Sequence, residues 1–486
     1  MKKICIVGAG TAGTILALEL NKLTNHEIIL LDSDNLNSSF DNNFDLKKFF
    51  FNNHESYKTT GYGFGGSSNL WHGVLTNLDG EDYSYINKVT KKNIKTDLKS
   101  YYYQLEKYFG KMNFIDQTVK DHHQLQNYLD LSDFIFKKHI VQRSPTRFRK
   151  LLINKLSKPG TNLKLIENAV AIKLIKNSEN EIEKLLYFKN DKEHNVYADL
   201  FIISMGGLGS PRLLLQSFEN DLSYNQLIGQ GLMDHPFAII GQLTIPKNIF
   251  YNQIGTTNFF SNNSERIGFR IKKHLRSNSL NHSLFIRPSF GKNIKNLREA
   301  LKLLIYNKFS LKKFFSIILN PNIFKLSLGL LSEKFGFGFF TKSFLISMQF
   351  EQSQKESSKV ILSKDYDEFN RRIPQININI SDEMMLDLKK LQDRFFEIAR
   401  NDCKFEKFNI SSGDLISGAH YSGTCRMGFD KNSSVVDSNL KYHDIKNLYV
   451  CDSSVLPKIG NANLVFSISA FAIRLANHLK TLTKDT

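Results

Sequence analysis

Two groups of residues near the carboxyl end are of types and at spacings suited to proton chemistry. His420 stands in Gly418-Ala-His-Tyr-Ser-Gly-Thr-Cys-Arg-Met-Gly428, before a glycine-rich corner. A neutral imidazole titrates in the range needed to take a hydroxyl proton. Further on, Gly460-Asn461-Ala462-Asn463-Leu464 offers two carboxamides. A carboxamide can hold an oxygen in place while a base acts on its proton, fixing the neighbouring C–H bond in space. Two other histidines have no comparable neighbours. His235 follows Asp234 and reads as architectural, and His443 sits in a polar turn and reads as exposed.

What these groups act beside is set at the other end of the chain. Lys3–Val7 is an apolar run suited to a buried parallel strand, and Thr14–Lys22 has helical composition. Between them lies Gly8-Ala9-Gly10-Thr11-Ala12-Gly13. In such a turn the first glycine permits the tight bend, the second lets backbone approach a pyrophosphate, and the third lets helix and strand pack closely. The helix start then offers free N–H groups and a favourable dipole to phosphate. A second apolar run, Glu27–Leu31, ends at Asp32, at the spacing of about 20 residues where an acid accepts from ribose hydroxyls. Strand, turn, helix, strand and acid in this order mark a dinucleotide site, with FAD and NAD both open at this point.

Gly61-Tyr62-Gly63-Phe64-Gly65-Gly66 repeats the glycine spacing but follows Tyr57-Lys-Thr-Thr60, which is not a buried strand. A second nucleotide fold is therefore not expected, and NAD(P)H has no obvious home. Ser67-Ser68-Asn69-Leu70-Trp71-His72-Gly73 continues as a loop of small hydroxyls and glycines, suited to packing against a flat ring or a diphosphate. Here the chain resembles the glucose–methanol–choline (GMC) oxidoreductases, whose second flavin-contacting loop is similar to Gly65–Trp71. Leu200–Leu215, with Gly206-Gly-Leu-Gly-Ser-Pro-Arg212 inside it, resembles that family's central strand, turn and helix. Ile228–Pro236, with Asp234-His235-Pro236, resembles its crossing into the substrate domain. Val435-Val-Asp437 and Asn447–Pro457, with Asp452-Ser-Ser454, resemble its last strand and flavin-contacting turn. The resemblance covers residues 1–80, 140–236 and 415–486, in order.

The resemblance implies FAD and oxidation of a primary or secondary alcohol, a sugar or lipid-linked hydroxyl included, to a carbonyl by hydride transfer to flavin N5. His420, with Gly423, Thr424, Arg426, Met427 and Gly428, matches the family's His-x-x-Gly-Thr motif and becomes the base. The family's Asn-Pro-x-x-Thr pattern places the second catalytic residue at Asn461, with Ala462 for proline and Val465 for threonine; Asn463 is the reserve candidate. Cofactor contacts are implied at Gly8, Gly10, Thr11, Ala12, Gly13, Asp32, Gly66, Ser67, Asn69, Trp71, Val170, Asp452, Asn463 and Leu464. Leu70 occupies the position where covalent members carry the flavin on a histidine, so FAD is expected to be dissociable. His72 reads as a loop histidine rather than a flavin link. The family also includes cyanohydrin lyases and fatty-acid decarboxylases, which makes a lyase on this scaffold the alternative; a membrane-associated protein holding FAD without turnover is the third reading. O₂, a quinone and other carriers are equally open as electron acceptor.

The composition agrees with a globular enzyme. Hydrophobic residues make up 41% and aromatics 12% of 486 residues, normal for a packed domain. No stretch offers about 18 apolar residues for a spanning helix, and no signal peptide precedes the first strand, so a cytoplasmic location is expected. Cys5, Cys403, Cys425 and Cys451 lack metal-ligand spacing and read as free thiols; no metal is expected. The net charge of +18 is spread along the chain, without the compact basic and aromatic surface of a nucleic-acid binder.

The fold expected is α/β: a discontinuous FAD-binding Rossmann-type domain (1–80, 141–236 and 416–486) with an inserted α+β substrate domain (81–140 and 237–415) of antiparallel sheet and helices. Phe344–Glu351, Lys359–Ser363 and Gln375–Ile380 read as strands of one sheet, and Asp382–Asn401 as an amphipathic helix. Leu464–Leu479 reads as the closing helix. Residues 296–341 form basic, strongly apolar helical stretches broken at Asn320-Pro321. They are expected to cap the substrate entrance, with peripheral contact at the inner face of a membrane as the alternative.

Overall fold

The computed structural model describes residues 1–23, 25–35, 50–52, 61, 63–71, 73–110, 118–119, 127–142, 145–158, 160–221, 224–251, 263–275, 281–289, 339–398, 400 and 402–482. His72 and residues 296–338 lie outside these.

Among the described residues, five strands form an all-parallel sheet in the order Leu448–Val450, Leu200–Ile203, Lys3–Val7, Glu27–Leu31, Leu163–Ile166. Ile4, Cys5, Ile6 and Val7 are all but fully buried, as a strand covered on both faces requires. Helix Thr11–Leu23 packs beside helix Leu464–Leu482, and the latter is apolar almost all round: Phe466, Ile468, Phe471, Ile473, Leu475 and Leu479 are buried. From Lys3–Val7 the sheet is extended on one side by Glu27–Leu31 and on the other by Leu200–Ile203. The carboxyl ends of these strands therefore frame a topological switch point, where open α/β sheets leave a crevice.

The second large sheet is antiparallel, with eight strands among the described residues. Its order is Lys404–Lys407, Phe237–Tyr251, Phe339–Phe350, His282–Pro288, Asn263–Ile271, Phe134–Gln142 and Val74–Leu75, with Thr118–Val119 beside Phe134–Gln142. Phe339–Thr341, the end of the stretch expected to be helical, belongs to one of these strands. Alternation divides this sheet's two faces. Ala238, Leu284, Ile286, Phe344, Ile346 and Met348 build a core with Met384, Leu388, Leu391 and Phe395. The last four are one stripe of helix Asp382–Glu397, which Ser381 caps by accepting from the Met384 N–H at 3.3 Å.

Lys359–Ser363 and Gln375–Ile380 were expected in that sheet from their alternation, but the strands observed there, Lys359–Tyr366 and Arg372–Asn377, do not join it. They pair with each other and with Phe50–Asn52 in a separate three-stranded sheet, whose Val360 and Ile376 pack on Leu208 and Tyr421. A fourth sheet is the antiparallel meander Val170–Lys176, Ile182–Lys189, Lys192–Tyr197. Helices Gly80–Thr90 and Ile94–Gln104, expected with the substrate half, lie instead in the core of the parallel sheet. Their Tyr83 and Tyr102 hydroxyls bond at 2.8 Å, and the Tyr102 ring stacks on Phe466 at 4.8 Å. No helix among the described residues is long and apolar enough to cross a membrane.

Candidate active site

A cavity of about 770 Å³ opens at the switch point, between the parallel sheet and the alternate face of the antiparallel one. Its first wall is the amino-terminal turn. Gly8 has φ +99°, and a Cβ there would sit 2.7 Å from the Ser204 carbonyl oxygen. A Cβ on Gly13 would sit 2.0 Å from the Gly8 carbonyl oxygen, so strand and helix meet at a distance only glycine allows. Gly13 packs behind the turn, while Gly8, Gly10, Thr11 and Ala12 line the cavity; the Gly8 N–H donates to the Leu31 carbonyl at 2.8 Å, and the start of helix Thr11–Leu23 faces the cavity with N–H groups that have no intrahelical acceptor.

Asp32 lies at one end beside Ala169, Val170 and Ala171. Its carboxylate accepts from the N–H groups of Ala9 (2.7 Å) and Asp34 (3.1 Å). Burial nevertheless pushes its pKa up to about 6. Asp452 lines the same cavity and accepts from the Ser210 hydroxyl (2.5 Å) and from the N–H groups of Gly206 and Ser454 (2.9 and 2.8 Å). It thereby ties the end of the last parallel strand to the start of helix Gly206–Phe218, and burial raises its pKa as well.

The second glycine loop docks on the first, with the Gly65 N–H donating to the Ala9 carbonyl at 2.8 Å. Gly66, Ser67, Leu70 and Trp71 line the cavity. Asn69 does not: its amide donates to the Phe64 carbonyl at 2.9 Å and holds the loop's own shape. Trp71 donates to the Thr146 carbonyl at 3.2 Å and packs against Phe109 and Phe148.

At the far end stand His420, Asn463 and Leu464. His420 is carried by the loop after Ile416, whose N–H and carbonyl pair with Phe237. The Asp234 carboxylate accepts from the His420 backbone N–H (2.8 Å) and from the Ser417 hydroxyl (2.6 Å). His235, read from the sequence as architectural, is the direct partner of the His420 ring: the two Nδ1 atoms are 2.8 Å apart. His235 is completely buried, and its Nε2 lies 2.7 Å from the Gly460 carbonyl oxygen. A carbonyl only accepts, so His235 carries its proton on Nε2. Burial, with His420 beside it, holds the His235 pKa well below the ordinary value, keeping the ring neutral. Its Nδ1 is then an acceptor, and His420 must donate from Nδ1. The lone pair of His420 is left on Nε2. Burial also lowers the pKa of His420, against an opposing pull from Asp234.

The Gly460 carbonyl is itself fixed. Glu351 accepts from the N–H groups of Ile459 (3.0 Å) and Gly460 (2.7 Å), from Lys458 Nζ (2.7 Å) and from the Asn281 amide (2.8 Å). Asp82 lies against this group, and its pKa is raised well above the ordinary value by burial and by the charges of Asp79 and Glu351. The same loop sends the two asparagines in different directions. Asn461, expected to hold the alcohol, is buried with its amide donating to the His282 carbonyl at 2.8 Å, and it does not line the cavity. Asn463 does. The loop bends through Gly460 at φ +55° and turns the first carboxamide into the antiparallel sheet.

The wall opposite the cradle comes from that sheet's polar face: Phe237, His139, Phe285, Arg287, Ser347 and Gln349. These residues were not identified from the sequence. Alternation with the buried Leu284, Ile286, Ile346 and Met348 was the available signal, and pairs such as Phe285 opposite Ser347 exist only once the register is set. His443, read as exposed, is bonded to the Ser434 hydroxyl at 2.8 Å away from the cavity.

Comparison with known proteins follows the same outline. The GMC oxidoreductase family model matches residues 357–472. The large subunit of fructose dehydrogenase from Gluconobacter japonicus is 23% identical over 332 residues, covering 65% of this chain and 53% of that protein. The 2-methyl-1,2-propanediol dehydrogenase of Mycolicibacterium austroafricanum is 24% identical over 313 residues, covering 60% and 50%. The chain thus spans about half the length of these curated relatives. The crystal structure of pyridoxine 4-oxidase from Mesorbium loti has the same fold, with a TM-score of 0.63 over 98% of this chain and 99% of that one at 14% identity. Residues 357–472 of this chain are thus similar to the GMC oxidoreductases, and the chain shares the fold of pyridoxine 4-oxidase.

Proposed function

We propose that the protein oxidises a primary or secondary hydroxyl of a small molecule to a carbonyl, with dissociable FAD as hydride acceptor and His420 as base. The observation that carries this reading is the histidine pair. His235 leaves the lone pair of His420 on Nε2, in a cavity that also contains a dinucleotide cradle.

The residues present fit FAD. Asp32 supplies a buried acceptor for ribose hydroxyls, and the helix start at Thr11 supplies N–H groups for a diphosphate. Leu70 lines the cavity with an aliphatic side chain, which has no nucleophile to bond a flavin. FAD bound there would supply the acceptor for the hydride. The substrate hydroxyl lies between His420 and Asn463. His420 Nε2 takes the hydroxyl proton while the O–H electron pair forms the C=O bond, and the carbon releases its hydrogen with both electrons. Asp234, against the His420 backbone, favours the imidazolium that results. The Asn463 carboxamide holds the oxygen, the part the sequence had given to Asn461. In this reading residues 1–80, 141–236 and 416–486 bind the cofactor and the 237–415 sheet forms the substrate wall. The names of the relatives, a fructose dehydrogenase, a diol dehydrogenase and a pyridoxine oxidase, favour a polyol or sugar hydroxyl.

The test is the anaerobic visible spectrum with a panel of alcohols, aldoses and lipid-linked sugars. Bleaching of the flavin band at roughly 450 nm is expected with the substrate and is expected to vanish in His420→Ala. A flavin that every alcohol leaves oxidised would overturn the reading.

A further inference from the structure

Thr76 and His139 have no part in the reaction as written, yet they end beside it. Val74–Leu75 pairs antiparallel with Phe134–Gln142, Leu75 opposite Ile140. One step along that register places Thr76 opposite His139. The Thr76 hydroxyl oxygen lies 2.8 Å from His139 Nδ1 and 3.2 Å from Asn463 Oδ1. Thr76 is fully buried and His139 is 2% exposed, so no bulk water replaces either bond.

We propose that Thr76 and His139 form a positioning relay that holds the Asn463 carboxamide with its NH₂ group toward the substrate oxygen. The inference rests on the alcohol-oxidation reading. A hydroxyl has one proton. Asn463 Oδ1 only accepts, so the Thr76 proton goes to it. The Thr76 oxygen must then accept, and the proton it accepts is the one on His139 Nδ1. With Oδ1 committed to Thr76, the NH₂ of Asn463 is the end that meets the substrate. A donor there holds the alcohol oxygen and also stabilises the negative charge that grows on it as His420 takes the proton. The reversed amide would place an acceptor against that charge. His139 is seated by the edge of Phe285, with ring centroids 5.1 Å apart. Gly268 leaves the room: a Cβ there would meet His139 Nε2 at 2.9 Å.

The test compares Thr76→Val, Thr76→Ser, His139→Leu and His139→Asn in the flavin-loaded protein. Thr76→Val is expected to weaken binding of the carbonyl product about tenfold, read from the perturbation of the flavin spectrum, with flavin content unchanged, and His139→Leu is expected to weaken it to a similar degree. Thr76→Ser keeps the hydroxyl, and His139→Asn keeps an N–H near the Nδ1 position; both are expected to restore most of the binding. Unchanged product binding in Thr76→Val would overturn the relay. ¹⁵N NMR of histidine-labelled parent protein gives a reading that needs neither substrate nor variant. His139 Nδ1 is expected to carry a proton, and an unprotonated Nδ1 would overturn the relay. That reading stands even if Thr76→Val does not fold or no alcohol reduces the flavin, so failure of the relay is distinguishable from failure of the oxidation reading.

Discussion

His235 can be altered so that one of its two bonds is kept and the other lost. In His235→Gln the longer amide reaches the Nε2 position and keeps a donor for Gly460, but nothing accepts from His420 Nδ1. In His235→Asn the shorter side chain places its oxygen near the Nδ1 position and keeps the acceptor for His420, while Gly460 loses its donor. The two bonds measure 2.8 and 2.7 Å and lie in a completely buried setting. Leaving a buried partner unsatisfied costs about 1–3 kcal/mol, well above the net gain of an average hydrogen bond. Without an acceptor the Nδ1–H form of His420 itself carries that cost, about 2 kcal/mol, so in the Gln variant the fraction with its lone pair on Nε2 falls from nearly all to about one in 30. The assay is the rate of anaerobic flavin reduction at saturating substrate, with flavin content and thermal unfolding as controls. His235→Gln is expected to fall about 30-fold and His235→Asn to stay within a few-fold of the parent. A Gln variant that folds, holds flavin and reduces it at the parental rate would refute the tautomer argument.

Further outcomes follow from the same geometry. Asp32→Asn removes the buried acceptor and is expected to weaken flavin retention by about 10–100-fold, measured by equilibrium dialysis. In the parent, retention is expected to decline below pH 6 as Asp32 protonates from its raised value of about 6. Gly13→Ala puts a methyl 2.0 Å from the Gly8 carbonyl; a loss of about 1–3 kcal/mol or more should appear in denaturant unfolding, together with loss of bound flavin. Burial lowers the folded pKa of His235 below the unfolded 6.5, so the unfolded chain binds more protons in acid. This stability contribution is complete above pH 6.5 and is lost as pH falls through the folded value. Urea midpoints at pH 7.5 and 5.5 should show the decline, smaller in His235→Asn.

The parts of the site that could be read from the sequence are those made by consecutive residues. Gly8–Gly13 with Asp32, the glycine loop at 61–66 and the block around His420 each carry their geometry in local spacing, because a turn or helix start is built within a few positions. Strands Lys3–Val7 and Glu27–Leu31 and the closing helix were legible for the same reason, whereas the edge strand Leu163–Ile166 was not. Contacts made across the chain were not. His235 meets His420, and Thr76 meets both His139 and Asn463, only because sheet register and loop docking bring them together. Alternation identified Lys359–Ser363 and Gln375–Ile380 as strands but held no information about their partner, and they joined a different sheet. The choice of Asn461 over Asn463 followed motif spacing, whereas the direction of each side chain is set by a loop pinned to Glu351.

The pairing of helix Thr11–Leu23 with helix Leu464–Leu482 has a consequence for biosynthesis. The glycine turn leaves the ribosome long before the Leu448–Val450 edge of the parallel sheet and before the helix that packs on Thr11–Leu23. For most of translation the nascent chain carries an apolar surface with nothing to cover it, a natural client for a holding chaperone. A transcript cut before the closing helix yields a protein with the cradle's sequence but not its support.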